Sequence, residues 1–228
     1  MRCDWAGAFD AIKAEPELTG RFASVTVPEW GKDDLRLIPD SGFPALKMSC
    51  PAKIIQLLCD ECQNSPFLMQ KFCWEVCYEL GVDELPKRTV KVPTDVNIQE
   101  IFVRIAKDSG LPIYQRLVVG PQIRKDRMMR PLRRGGNADV YEATLLAIAE
   151  TGPLPKIAYN ELRTSLSNVL AENIPQRHEI TSVLKQLSKI SHHSGRDAGV
   201  DWDDDTRQLD ISDPYLRFYL RWQVRKSH

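Results

Sequence analysis

Two groups of residues in this 228-residue chain have types and spacings that could do chemistry. The first is cysteine. Cys59-x-x-Cys62 followed by Cys73-x-x-x-Cys77 offers four sulfurs in two pairs, the number a tetrahedral zinc site takes once the thiols are ionised. Both pairs lie within apolar stretches of helical period, at i, i+3 and i, i+4, and no glycine knuckle follows either. Small thiols packed like alanine or valine are the reading this placement favours. The second group is basic. From Arg124 to Arg134 six basic residues face one acidic residue. Such a run, including Arg124, Lys125 and Arg127, can neutralise phosphates and release their counterions, or can be a solvated strip between elements. No Ser-His-Asp or Cys-His grouping is supported by a motif, and the G-x-x-x-x-G-K-[ST] phosphate loop does not occur in the sequence. No metal ligand set and no catalysis of its own are expected.

The elements that must position these residues are mainly helical, with a small amount of strand. Thirty-one basic residues balance 31 acidic ones, 43% of the chain is hydrophobic and 27% charged. These are the proportions of an ordinary globular protein without a global field toward nucleic acid or membrane. No apolar run is long enough to span a bilayer and no signal peptide is evident, so a cytoplasmic location is expected.

Three helices and a hairpin are predicted from residue 137 onward, in the order of a winged helix. Asn137 is the expected N-cap of the first, with Tyr141, Leu145 and Ile148 on one face and Gly152-Pro153 as its stop. Leu162, Leu166, Val169 and Leu170 mark the second helix. Ile180, Val183, Leu184 and Leu187 mark the third. Its outer face would carry His178, Thr181, Ser182, Lys185 and Lys189, with Gln176 and Arg177 at its start, the side that enters a major groove when such a module reads DNA. Val200-Asp201-Trp202 and Gln208-Leu209-Asp210-Ile211 alternate as a hairpin. Its acidic residues, Asp201 and Asp203 to Asp205, argue against a generic DNA mode. Tyr215, Phe218, Tyr219 and Trp222 are expected to be buried in a last helix capped by Asp213-Pro214.

Upstream, residues 31–82 read as a helical domain. Leu35, Ile38, Phe43 and Leu46 open it, Ser49 is the expected cap of a helix carrying Ile54, Ile55 and Leu58, and Ser65-Pro66 starts another that ends at Gly81. Residues 83–136 read as a connector with Val90 and Val92 extended, a helix from Ile98 ending at Gly110, and the basic run. Residues 1–30 contain a short helix (Trp5, Phe9, Ile12) and a strand from Phe22 to Val27, which cannot bury themselves alone.

The closing phrase, "DWD" then "ISDPYLRFYLRW", resembles the end of prokaryotic AAA+/STAND-type ATPases of the archaeal-ATPase-like group. The resemblance implies a remnant of a P-loop α/β domain in residues 1–30, a helical lid in 31–82, and a winged helix in 137–228. It also implies ATP and Mg in an intact member, with the phosphate loop supplied from outside this sequence. Arg21, just before the predicted strand, is similar in position to the family's arginine finger. "CQNSPFLMQKFC" resembles the lid's Gly-x-Pro turn beside the adenine, with Asn64 in place of glycine, which makes Ser65 and Pro66 the candidate adenine-side residues. The expected function is then a regulatory and coupling part, linked to a missing or separate ATPase domain, to a protein partner, or within an oligomer. A DNA-binding regulator acting through Arg124, Lys125, Arg127, Arg177, His178, Lys185 and Lys189 is the alternative. A truncated gene product, with Met1 internal to the true protein, is a third.

Overall fold

The computed structural model describes residues 30–121, 127–192 and 199–224. The helix and strand expected before residue 30 lie outside them, as do Arg21, Arg124 and Lys125.

The first described helix, α1 (Lys32–Ala45), buries Leu35, Pro39 and Phe43. The expected cap at Ser49 is not used. Met48–Ser49 (β1) pairs in parallel with Val90–Lys91 (β2), which takes Ser49 into a sheet, and Pro51 is the N-cap of α2 (Ala52–Glu61) instead. The break after α2 is tight: Gln63 and Asn64 both adopt left-handed backbone, at φ 53° and 55°. Asn is among the few non-glycine residues that visit this region readily. Ser65 then caps α3 (Pro66–Glu79), its Oγ accepting from Leu68 N at 3.2 Å, with Pro66 in the first turn. Gly81, at φ 64°, ends the helix as expected.

A helix begins at Ile98 but does not stop at Gly110. It runs as α4 (Ile98–Val119) through Gly110 and Pro112 and ends at Gly120, φ 64°. The glycine is not a terminator because its missing side chain is used for packing. A Cβ there would lie 2.2 Å from Tyr219 Cβ and 2.7 Å from Tyr215 O. Gly110 is where the last helix of the chain crosses α4 at closest approach.

Asn137 is not a cap either. Asn137–Ala138 (β4) pairs antiparallel with Arg130–Pro131 (β3) around Gly135-Gly136, whose φ values of 94° and 78° suit glycine. Asp139 caps α5 (Val140–Glu150), its Oδ1 accepting from Tyr141 N at 2.8 Å and Glu142 N at 2.9 Å. Every residue from Ala143 to Ala149 is buried, so α5 is an all-round core helix.

After α5 comes a strand absent from the sequence expectation, β5 (Lys156–Ala158). Then follow α6 (Tyr159–Val169), α7 (Arg177–His192) and the hairpin β6 (Asp201–Asp203) and β7 (Gln208–Asp210). β5 pairs with β7 and β7 with β6, both antiparallel, with Leu209 opposite Ile157 on one side and Trp202 on the other. The final helix α8 (Pro214–Tyr219), capped by Asp213 and continued by a π-helical stretch to Val224, buries Leu216, Phe218, Tyr219, Leu220 and Trp222. Phe72, Phe102, Phe218 and Trp222 form one aromatic cluster, with centroid separations of 4.8 to 6.1 Å. One apolar core therefore runs from Leu35 to Val224 through α3, α4 and α8.

Candidate functional site

Two places gather the residues singled out by sequence, and the first is the outer face of α7. Its inner face is fixed by burial of Ile180, Val183, Leu184 and Leu187. Its start is fixed by Glu179, whose carboxylate accepts from Gln176 N at 2.8 Å and from the buried Arg130 guanidinium at 2.8 Å. What remains outward is an open depression lined by Gln176, Arg177, His178, Thr181, Ser182 and Lys185. Thr181 Oγ1 donates to Arg177 O at 2.9 Å, so that hydroxyl is committed to the helix. Arg177 lies 5.8 Å from the Tyr159 ring centroid. Lys189, further along the same helix, is also exposed.

Lys185 is ion-paired with Asp204 of the turn between β6 and β7. That turn is held by its own acids. Asp203 Oδ1 accepts from Asp205 N at 2.8 Å and Thr206 N at 3.2 Å, and Trp202 Nε1 donates to Asp204 at 2.8 Å. The hydrogen bond from Lys185, then that from Trp202, holds the Asp204 carboxyl below its ordinary value; the Thr206 side chain does the same for Asp203. At the base of the hairpin, Asp201 Oδ1 accepts from Ser188 Oγ at 2.7 Å.

Two residues of the basic run before α5, Arg127 and Arg130, are turned inward, whereas Arg133 and Arg134 are exposed. Arg127 donates to Asp139 at 2.7 Å and to Val119 O at 2.8 Å, and its guanidinium sits 4.4 Å from the Tyr141 ring centroid. Arg130, 4% exposed, donates to Asn173 O at 3.0 Å as well as to Glu179. Arg133 donates to Ser167 O at 3.0 Å. Sequence reasoning saw six basic residues within eleven and could not see that these three close loops.

The second place is the turn from Gln63 to Pro66. Ser65 is 7% exposed and acts as a cap. Arg217 of α8, itself buried, donates from Nη2 to Gln63 O at 2.9 Å. One turn earlier Glu61 receives three charged or polar contacts. Arg221 Nε lies 2.7 Å and Arg221 Nη2 2.9 Å from its carboxylate, and Trp222 Nε1 donates at 2.8 Å. None of Glu61, Arg217 and Arg221 was singled out by sequence. The "DPYLRFYLRW" phrase contained both arginines, but their partners lie more than 150 residues away.

The thiols behave as packing groups. Burial pushes Cys73 up to about 12 and Cys62 and Cys50 up to about 11. Cys62 Sγ donates to Cys59 O at 3.2 Å, and Cys77 Sγ lies 3.6 Å from Met48 Sδ. Among the described residues no three His, Cys, Asp or Glu side chains converge as a metal site needs, and no helix is long and apolar enough to cross a membrane. No family model, curated protein or solved structure matches the chain.

Proposed function

We propose that this chain is the coupling half of an AAA+/STAND-type ATPase: a helical lid over 31–82 and a winged helix over 137–228 that links nucleotide state to a partner and does not hydrolyse ATP by itself. ATP and Mg would be held mainly by a nucleotide domain lying outside this sequence or on a separate chain, with Arg21 as its arginine finger and Ser65 and Pro66 on the adenine side. The observation that carries this reading is the join between the Gln63–Pro66 turn and α8. Arg217 holds the turn's carbonyl, Arg221 and Trp222 hold Glu61, and the four-ring cluster fills the space behind them. Close-packed interiors transmit displacement rather than absorb it. A ligand that shifted the turn would therefore shift the helix that closes the winged helix.

The test is to read the gene upstream of the Met1 codon and its neighbours, and to purify the chain from its source. A phosphate loop in the same frame, or a P-loop ATPase that co-purifies, is expected, with turnover by the isolated chain at the no-protein level. A closed frame with no ATPase companion refutes the reading, as does turnover that stays with this chain through stringent purification.

The α7 depression favours the second reading, a DNA-binding regulator. That reading requires binding to duplex DNA that falls steeply with salt and is lost in a Lys185→Glu, Lys189→Glu double variant. No binding in dilute buffer removes it.

A further inference from the structure

The hairpin stands over the basic side of α7 and is tied to it at both of its ends. At the base, Ser188 of α7 donates to Asp201 at 2.7 Å. At the tip, Lys185 pairs with Asp204. Arg177 and Lys185, both lining the α7 depression, are eight residues apart on one face, about 12 Å along the helix. A continuous line of contacts joins them. Arg177 lies 5.8 Å from the Tyr159 ring centroid, that ring meets Trp202 edge-on at 6.5 Å, and the Trp202 indole donates to Asp204 at 2.8 Å. The tip itself carries three consecutive exposed carboxylates, Asp203 to Asp205, and Arg207 is the one basic residue between β6 and β7. Asp203 is anchored by Asp205 N and Thr206 N, so the negative charge is placed beside the depression and held there.

We infer that the β6–β7 tip is an autoinhibitory contact: it answers Lys185 with a carboxylate of its own and keeps the α7 face at low affinity for duplex DNA. The inference rests on the DNA-binding reading of that face and adds its regulation. Asp204 presents to Lys185 what a DNA phosphate would present, an anionic oxygen within hydrogen-bonding reach. The ion pair alone is a weak lock, because both partners are exposed and solvent screens them. The stronger part is the anchored charge around it. A phosphate that displaced Asp204 would still lie beside carboxylates within one screening length, about 8 Å. Added salt does not relieve this selectively, since it weakens the attraction of Arg177 and Lys185 along with the repulsion. Charge and geometry can be separated at this tip. Asparagine keeps the side-chain oxygen that accepts from Asp205 N, Thr206 N and the Trp202 indole, and removes the negative charge.

The experiment is fluorescence anisotropy of the full chain with a labelled duplex of about 20 base pairs, titrated at salt concentrations from about 50 to 200 mM. The natural chain is compared with the triple variant Asp203→Asn, Asp204→Asn, Asp205→Asn, and with that variant carrying Lys185→Gln. A second triple variant, Asp83→Asn, Glu84→Gln, Asp95→Asn, removes the same charge from exposed positions on either side of β2. Circular dichroism and the thermal midpoint check that each variant folds. One unit charge at contact distance is worth a factor of about five even in bulk water, so the tip variant is expected to bind at least about tenfold more tightly. Its plot of log affinity against log salt should steepen by about 0.9 as Lys185 gains a phosphate, and Lys185→Gln should remove that increment. Asp204→Asn alone leaves the bonds to Asp203 untouched and should give the same change of slope. The β2 variant should stay within about twofold of the natural chain, because its charges lie outside the screening length. If neither the natural chain nor the tip variant binds, the DNA reading falls and the inference with it. If the natural chain binds and the tip variant binds no more tightly, or the β2 variant gains as much, the inference alone is overturned.

Discussion

Replacing Gly110 with alanine separates two accounts of α4. If the glycine sat in the helix with open space beside it, alanine would be neutral or would stabilise by up to about 1 kcal/mol through helix propensity. The contacts give the opposite sign. An added Cβ would stand 2.2 Å from Tyr219 Cβ and 2.7 Å from the Tyr215 carbonyl oxygen, so its neighbours are a side-chain root and a backbone atom rather than the flexible end of a side chain. To restore ordinary contact, α4 and α8 must part by more than about 1 Å. That movement opens gaps across the Phe72–Phe102–Phe218–Trp222 cluster, which spans the same pair of helices. Overpacking of this kind costs about 1–3 kcal/mol, and the rigidity of both neighbours places Gly110→Ala at the upper end. Allowing about 1 kcal/mol for propensity leaves a net loss of about 2 kcal/mol. For a chain of this size that lowers the thermal midpoint by about 4–8 °C. Urea unfolding should show a lower midpoint with unchanged m-value. A midpoint equal to or above that of the natural chain would refute the packing argument and return Gly110 to an ordinary helix position.

Two further outcomes follow from contacts already described. Glu61→Ala is expected to cost about 2 kcal/mol in urea unfolding, since it strands the buried Trp222 N–H and one face of Arg221; the figure is below that of a fully buried pair because Arg221 is about a third exposed. A loss under about 0.5 kcal/mol would show that the clamp contributes nothing. In acid, Asp203 and Asp204 both have folded values below 3.8. A depressed carboxyl stabilises the fold above its unfolded pKa and loses that contribution as pH falls through the folded one, so the β6–β7 turn should hold down to about pH 4 and loosen below it. Carboxyl NMR titration midpoints at or above 3.8 for these two residues would sink that expectation.

Much of the back half was legible because its signals are local. The hydrophobic spacing at 162–166 and 180–187, the Asp213-Pro214 and Ser65-Pro66 starts and the alternation in the hairpin each need only a few neighbouring residues, and α6, α7, β6, β7, α8 and α3 follow them. The errors came where a distant partner overrode a local cue. Ser49 looked like a cap until Lys91 drew it into a strand. Asn137 lost that role because Arg130–Pro131 paired with it. β5 is three residues long and exists through its register with β7. At the candidate sites the limit was the same. The positions on α7 follow from helical period, whereas the Lys185–Asp204 pair, the inward turn of Arg127 and Arg130, and the grip of Arg217 on the 63–66 turn all depend on contacts between separate elements, up to 154 residues apart.

Those long-range contacts also bear on what the surface made by α7 and the β6–β7 hairpin can meet. The Lys185–Asp204 pair is exposed on both sides, and solvent screens pairs of that kind so strongly that breaking it to release a lysine costs little. The obstacle to a phosphate backbone lies elsewhere. Asp203 is tied into the turn by Asp205 N and Thr206 N, and Asp204 by the Trp202 indole. These carboxylates cannot swing away without unmaking the hairpin tip, and at a screening length of about 8 Å they would repel a polyanion drawn to Arg177 or Lys185. The arginines that would offset them, Arg127, Arg130 and Arg133, already hold the loop before α5 to Asp139, Glu179 and Ser167 O. A duplex drawn to the α7 depression by Arg177 and Lys185 would thus meet carboxylates that the hairpin holds in place.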